Sequence, residues 1–429
     1  MVKKLIIIIS LILLITIIAV FKTNSDYIFP KWSHKISLSS TIEYIQEINN
    51  ILIITTKDKK YSYIDILQKN NGNRIAQIKL NHINNKPTIN DHYLITESKD
   101  KNNNSYGEFY VIDLQSGDLI LKEQFTSKQW SFIADGYNIF FVDIAGTLKT
   151  IDIKTKKIIW KILSENNFIN STRPSVSDER FFICNNNQIL ALNIKTSEIL
   201  YNFKTDSKIN TCLFNDNTAI VATNNDYIYA IDLILSRIKW KYKFVSLYSK
   251  AFYEIINDNY LLLLNTTNYS SIKSSVRGKL LTKKSEILHI LNLNNGETIW
   301  QKRFKNVKSK MPLKELITFQ SLIIESINGK LTSYFLENGL RRWEFFTKNN
   351  IPIHSYTIYD DKIFIIVDYT NKCYVYILNA NDGQLINKIE IPQKNNIRFN
   401  PVVDDKNIYI VYEDNTIKAF NLPALDKDK

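Results

Sequence analysis

Short apolar runs, each cut off by Asp, Asn or Gly, follow one another along almost the whole chain. Tyr110-Val111-Ile112 and Ile228-Tyr229-Ala230-Ile231 have the composition of pleated, part-buried strands whose alternate side chains face opposite ways. The runs belong to a repeat of roughly 40 residues or more. In each copy an apolar residue is followed by Asp or Asn, then by a turn residue, and often by Trp. The clearest copies are Ile151-Asp152 to Trp160, Ile231-Asp232 to Trp240, and Leu291-Asn292 through Gly296 to Trp300. Weaker ones run from Ile112-Asp113 through Gly117 to Leu121, from Leu192-Asn193 to Tyr201, from Phe335 through Gly339 to Trp343, and from Leu378-Asn379 through Gly383 to Asn387. A first copy at Asp65 reads with a longer turn, through Gly72 to Ala76, and a last one, Ala419-Phe420-Asn421, breaks off near the C-terminus.

A second set of polar breaks precedes the copies: Asp135-Gly136, Asp178-Glu179, Asp216-Asn217, Asp258-Asn259, Asp360-Asp361 and Asp404-Asp405. A third set, such as Asn185-Asn187 and Asn224-Asp226, follows the intervening strand. Each unit therefore reads as four short antiparallel strands joined by tight turns, which is a β-propeller blade. The scarce special residues sit where that reading needs them. Five of the ten glycines (Gly72, Gly117, Gly296, Gly339, Gly383) occupy one turn position, and four of the six tryptophans (Trp160, Trp240, Trp300, Trp343) the closing position, where a large ring can pack between blades.

These copies resemble the PQQ-like repeat, with a consensus close to Ala-Leu-Asp-x-x-Thr-Gly-x-x-x-Trp, over roughly residues 30 to 421. Within that superfamily, length and layout are most similar to the BamB family of outer-membrane β-barrel assembly factors. The resemblance implies an all-β chain forming one propeller of eight four-stranded blades, although nine echoes of the motif are present. It also implies ring closure by an N-terminal strand. Trp32-Ser33-His34-Lys35-Ile36 is expected to be that strand, lying beside Thr416-Asn421 with its Phe420.

The chain divides at about residue 26: a signal-anchor or signal peptide over 1–26, and the propeller over 27–425. Met1-Val2-Lys3-Lys4 is a basic head, and Leu5 to Phe21 is apolar except for Ser10 and Thr16. That run is near the minimum for a membrane span and ends in a poor cleavage sequence. The expectation is an uncleaved helical anchor holding the propeller on the periplasmic side of an envelope membrane, with cleavage as the alternative. The BamB family commonly carries a lipid-bearing Cys after this run, whereas the first Cys here is Cys184.

The net charge of +13 is scattered over turns and outer strands, which fits solubility; nucleic-acid binding is not expected of an exported chain without a basic helix. Cys184, Cys212 and Cys373 lie in different units and are expected as buried free thiols, with a Cys184–Cys212 bridge as the alternative. The five histidines lack metal-ligand spacing; His82 and His92 read as turn residues, and the Asp-Asp pairs read as turn formers because they recur at one place in the unit. No phosphate loop or nucleophile elbow is present, and the Cys-Cys pair of quinone-dependent dehydrogenases is missing. No enzyme activity, cofactor, metal or small-molecule substrate is therefore expected. A quinone-dependent dehydrogenase and an exported peptide- or glycan-binding propeller are the alternatives to a scaffold.

What remains is surface. Glu97 to Gly107 and Asn265 to Glu286 read as polar insertions, and Leu163 to Pro174 as a longer connection between units. In the BamB family the corresponding connection carries exposed leucines and an arginine that dock the barrel-inserting partner, a BamA-like protein. By that resemblance Phe168, Ile169 and Arg173 are the expected partner-binding residues.

Overall fold

The computed structural model describes residues 28–423 except 38, 84–85, 91, 100–106, 126–129, 144–146, 164–173, 245–251, 257, 271–281, 306–316, 319–320, 327–328, 352, 370–371 and 393–395. Its strands form nine antiparallel sheets among the described residues, one more than the eight blades expected; in chain order sheets 1 to 9 lie within residues 41–80, 82–125, 130–163, 175–204, 209–243, 252–305, 317–346, 355–391 and, joined by 32–35, 402–421. Each motif echo has its own sheet, so no copy is a partial unit. Sheet 3 shows the plan: Trp130–Asp135, Asn138–Asp143, Thr147–Asp152 and Lys157–Leu163 pair in chain order, each with the next. The first strand of sheet 2 is split into His82–Ile83 and Thr88–Ile89, both paired with Tyr93–Lys99. His82 is thus a buried strand residue and not a turn residue, while His92 is exposed and stacks on Tyr137.

The nine sheets are separate in their strand pairing and meet through apolar side chains. Phe140 and Val142 of sheet 3 pack with Phe181, Ile183 and Leu190 of sheet 4. Phe182 and Ile189 of sheet 4 pack with Cys212, Val221 and Ile231 of sheet 5. The second and third strands of a unit bury both faces, so they read as nearly continuous apolar runs, whereas the outer strand buries little. This arrangement is a β-propeller.

The terminal strand pairs as expected. Trp32–Lys35 lies antiparallel to Thr416–Asn421, with Trp32 opposite Ala419. Trp32 and Ile36 join Leu52, Ile54 and Leu67 of sheet 1 and Tyr409, Val411 and Ile417 of sheet 9 in one cluster. Phe420 faces the other way, among Ile389, Ile391 and Val403 on the side of sheet 8.

The repeated turn is built by its Asp or Asn. Asp113 Oδ1 accepts from the amides of Gln115 and Ser116 at 2.9 and 2.8 Å, and Gly117 N donates to Asp113 O. Where glycine is missing, Lys156, Ser197 and Ser236 take the same positive-φ position, at φ 58, 63 and 51°. In sheet 1 the turn starts three residues later than the sequence suggests. Gly72 N donates to Gln68 O, so Gln68 stands in the Asp place. Asp65 lies inside a strand, its buried carboxylate bound to Arg74 Nε at 2.8 Å.

Two further expectations change. Cys184 and Cys212 form a disulfide with Cα atoms 6.4 Å apart, tying sheet 4 to sheet 5; only Cys373 among the three is a free, buried thiol. Spacing along the chain could not show that neighbouring sheets bring these two within bonding reach. The Asn265–Glu286 insertion is not a plain loop: Tyr260–Ser270 and Thr282–Asn292 stay paired out to Ser270 opposite Thr282. The expected helical anchor over residues 5–21 falls outside the described residues. Among the described residues no α-helix occurs, and none is long and apolar enough to cross a membrane. The periplasmic anchoring derived from such a helix is therefore withdrawn, because an apolar run fixes what could span a bilayer and not that a spanning helix forms.

Candidate interaction surface

Four tryptophans of the repeat lock their sheets, 3, 5, 6 and 7, to the next. The outer strand carries a bulge just before the Trp position, between the partners of Ala230 and Ile231 in sheet 5, for example. Trp240 then reaches the turn of sheet 6, where its Nε1 donates to Leu293 O at 2.8 Å. A Cβ at Gly296 would stand 2.6 Å from the Trp240 ring, so glycine is required there for contact as well as for its φ of 74°. Trp300 does the same to Leu336 O at 2.7 Å, Trp343 to Ala380 O at 3.0 Å, and Trp160 to Ile194 O at 2.7 Å. The predicted packing residues are thus all placed between sheets. They are structural, and they fix where the turns and outer strands of neighbouring sheets sit.

The predicted partner-binding residues Phe168, Ile169 and Arg173 lie outside the described residues. The strands on either side of them are described. The outer strand of sheet 3 ends at Leu163, which is 75% exposed, and sheet 4 begins at Ser175. The chain therefore enters this connection from an exposed apolar residue.

Sequence reasoning missed that exposed apolar residues continue across three sheets. Ile158 and Ile159 of sheet 3, Ile199 and Leu200 of sheet 4, and Ile238 of sheet 5 are all exposed at the start of their outer strands. Ile158, Ile199 and Ile238 hold the same register, opposite Ile151, Leu192 and Ile231. Ile234 and Leu235 add to them at the hairpin tip of sheet 5, at 65 and 57% exposure. That tip is well formed. Asp232 Oδ1 accepts from Ile234 N at 3.0 Å and Leu235 N at 2.9 Å, and these amides, that of Leu235 foremost, hold its pKa below the usual carboxylate range. The sequence carried a signal: Asp232-Leu233-Ile234-Leu235-Ser236 puts aliphatic residues where the turn of sheet 6 has Asn294-Asn295-Gly296. Leu119 of sheet 2 and Leu385 of sheet 8 hold the same register, opposite Ile112 and Leu378, and are exposed too, so the position belongs to the repeat; sheets 3 to 5 stand out in carrying seven exposed aliphatic side chains on three successive sheets.

A cluster of paired charges lies at the seam between sheets 9 and 1. Lys69 Nζ lies 2.8 Å from both Glu47 Oε2 and Asp404 Oδ2, and Tyr409 OH donates to Asp404 Oδ2 at 2.8 Å. Burial opposes the charge on Asp404, but the bonds from Lys69, from the amides of Lys406 and Asn407 and from Tyr409 outweigh it and lower its pKa. The expected turn-forming role of Asp404 is met through those two amides, at 2.9 and 2.8 Å. Among the described residues no group of three His, Cys, Asp or Glu could hold a metal ion.

No protein-family profile matches the chain. An uncharacterized protein of Rickettsia prowazekii (strain Madrid E) is 23% identical over 287 residues, which are 62% of this chain and 64% of that protein. The chain thus spans under two thirds of the length of the curated relative it matches. Among solved structures, the computationally designed Ika8 protein aligns with a TM-score of 0.49 at 11% identity, over 92% of this chain and 99% of its own. BamB from Moraxella catarrhalis aligns with a TM-score of 0.46 at 12% identity, over 91% and 100%. The C-terminal WD40 domain of Sif2 aligns with a TM-score of 0.42 at 12% identity, over 78% and 94%.

Proposed function

We propose that this propeller is a non-catalytic, BamB-like scaffold of outer-membrane β-barrel assembly, and that it holds the barrel-inserting partner through loops and edges of its sheets. The observation that carries this reading is the exposed apolar edge of sheets 3 to 5, which meets the connection over residues 164–173 at Leu163. Exposed aliphatic side chains supply apolar contact area, and the adjoining segment carries Phe168 and Arg173, residue types enriched at interfaces. The Trp-to-turn locks support the same role, because they hold this edge in one shape and lower the ordering cost of docking. The repeat motif adds the fold, which by itself names no function.

The test is direct binding of purified protein to an immobilised BamA-like barrel-inserting protein. Saturable binding that is lost in Phe168→Ala/Arg173→Ala supports the reading. No binding at micromolar concentration, or saturable binding of a quinone with dye reduction, contradicts it.

A further inference from the structure

The outer strand of each sheet has one edge that pairs with no strand of its own sheet. Such edges offer a row of backbone donors and acceptors, and proteins guard them with charged side chains. Here seven of the eight outer strands longer than four residues are guarded. Arg74–Leu80 carries Lys79, Leu119–Phe125 carries Lys122 and Glu123, and Lys157–Leu163 carries Lys161. Arg237–Lys243, Thr298–Lys305, Arg341–Phe346 and Leu385–Ile391 likewise have charged interior residues.

The exception is Ile199–Lys204 of sheet 4, which reads Ile-Leu-Tyr-Asn-Phe before its final Lys. Ile199 and Leu200 are 59 and 51% exposed, and Asn202 is exposed as well. The strand is rich in residues that favour pleated pairing and carries no charge before its terminal Lys204 to repel a second strand. It is also held from both sides. Trp160 of sheet 3 bonds the turn at Ile194, and the disulfide from Cys184 ties its sheet to sheet 5.

The neighbouring edges define what fits. The outer strands of sheets 3 and 5 expose Lys157, Lys161, Arg237, Lys239, Lys241 and Lys243, and neither strand contains an acidic residue. A strand uncharged up to Lys204 thus belongs to a sheet whose two neighbours have basic outer strands.

We propose that the strand Ile199–Lys204 is a strand-addition site for an extended segment of a partner protein, apolar in its centre and acidic at its ends. The partner's backbone pairs with the free edge, its apolar side chains lie against Ile199 and Leu200, and its acidic side chains are drawn by the field of the basic outer strands of the two neighbouring sheets. The site stands on the edge itself and does not depend on the barrel-assembly reading.

The probe is a fluorescein-labelled peptide with an alternating Val–Thr centre and two Glu at each end. Fluorescence anisotropy is expected to show saturable binding, weakened at least tenfold by Leu200→Lys, which supplies the missing guard charge, and unchanged by Leu119→Lys on sheet 2. The same peptide with Lys ends should bind at least tenfold more weakly. In the unmodified protein, hydrogen exchange at residues 199–203 should slow when the Glu peptide is added, a reading that needs no variant to fold. The proposal is overturned by an absence of saturable binding, by equal binding to the two variants, or by preference for the Lys peptide. Binding to anionic vesicles in place of the peptide, or pairing of this edge with a second copy of the chain in solution, overturns it too.

Discussion

Trp32 packs so closely on Gly72 that a Cβ added to the glycine would stand 2.5 Å from the indole Cε3, while Trp32 Nε1 donates to Lys69 O at 2.8 Å. The two residues come from the N-terminal strand of sheet 9 and the turn of sheet 1. Their contact repeats the one between Trp240 and Gly296 inside the array. The N-terminal strand therefore does for sheet 9 what the fourth strand does for sheets 3, 5, 6 and 7.

Trp32→Ala should cost about 3–5 kcal/mol, the range for removing a large buried aromatic. Gly72→Ala should also destabilise, since it adds an atom under the ring at a φ of 72°. Removal of residues 28–39 should cost more than either, because the edge of Thr416–Asn421 then loses its partner. Urea unfolding followed by tryptophan fluorescence measures all three. A shortened chain with an unchanged midpoint and slope would show that the terminal strand is dispensable.

This part of the fold was legible in the sequence because turn chemistry and a large ring at fixed spacing are local signals. Gly72, Trp32 and the strand at Thr416–Asn421 could all be marked in advance. The sheet count was half legible: nine echoes were visible, and the number eight came from resemblance alone. The Cys184–Cys212 bridge was legible only as the alternative to free thiols, since choosing it depends on how second and first strands of neighbouring sheets lie side by side. The apolar edge was missed for a similar reason. Ile158, Ile199 and Ile238 look like core residues in an alternating run, and only the bulge before the Trp position turns them outward.

The disulfide gives a chemical prediction. Denaturation in iodoacetamide without reductant should label one of the three cysteines, Cys373, and prior reduction should expose all three. Reduction should lower stability by about 2–4 kcal/mol, the usual scale for a closed loop of this size. Labelling of all three without reductant, read by intact mass, would show that the thiols are free.

Acid should loosen the seam at Asp404. Its pKa in the folded protein lies below the ordinary aspartate value of about 4. A group depressed in this way contributes stability that is fully present above that value and is lost as pH falls through its folded pKa. The melting temperature of the unmodified protein should therefore drop between about pH 5 and pH 2 by more than that of Asp404→Asn, which starts lower and has no such charge to lose. Parallel decline of the two proteins would remove Asp404 from the account.

The central claim is that this propeller acts by holding a partner. Its most direct measurement is the affinity for a purified BamA-like barrel-inserting protein, compared between the unmodified protein and Phe168→Ala/Arg173→Ala, with melting recorded on the same samples. The double variant is expected to lose about 1–3 kcal/mol of binding, the usual scale for interface anchors, with its melting temperature nearly unchanged. A large fall in melting temperature with binding intact would show that the connection over residues 164–173 is structural, and would contradict the claim.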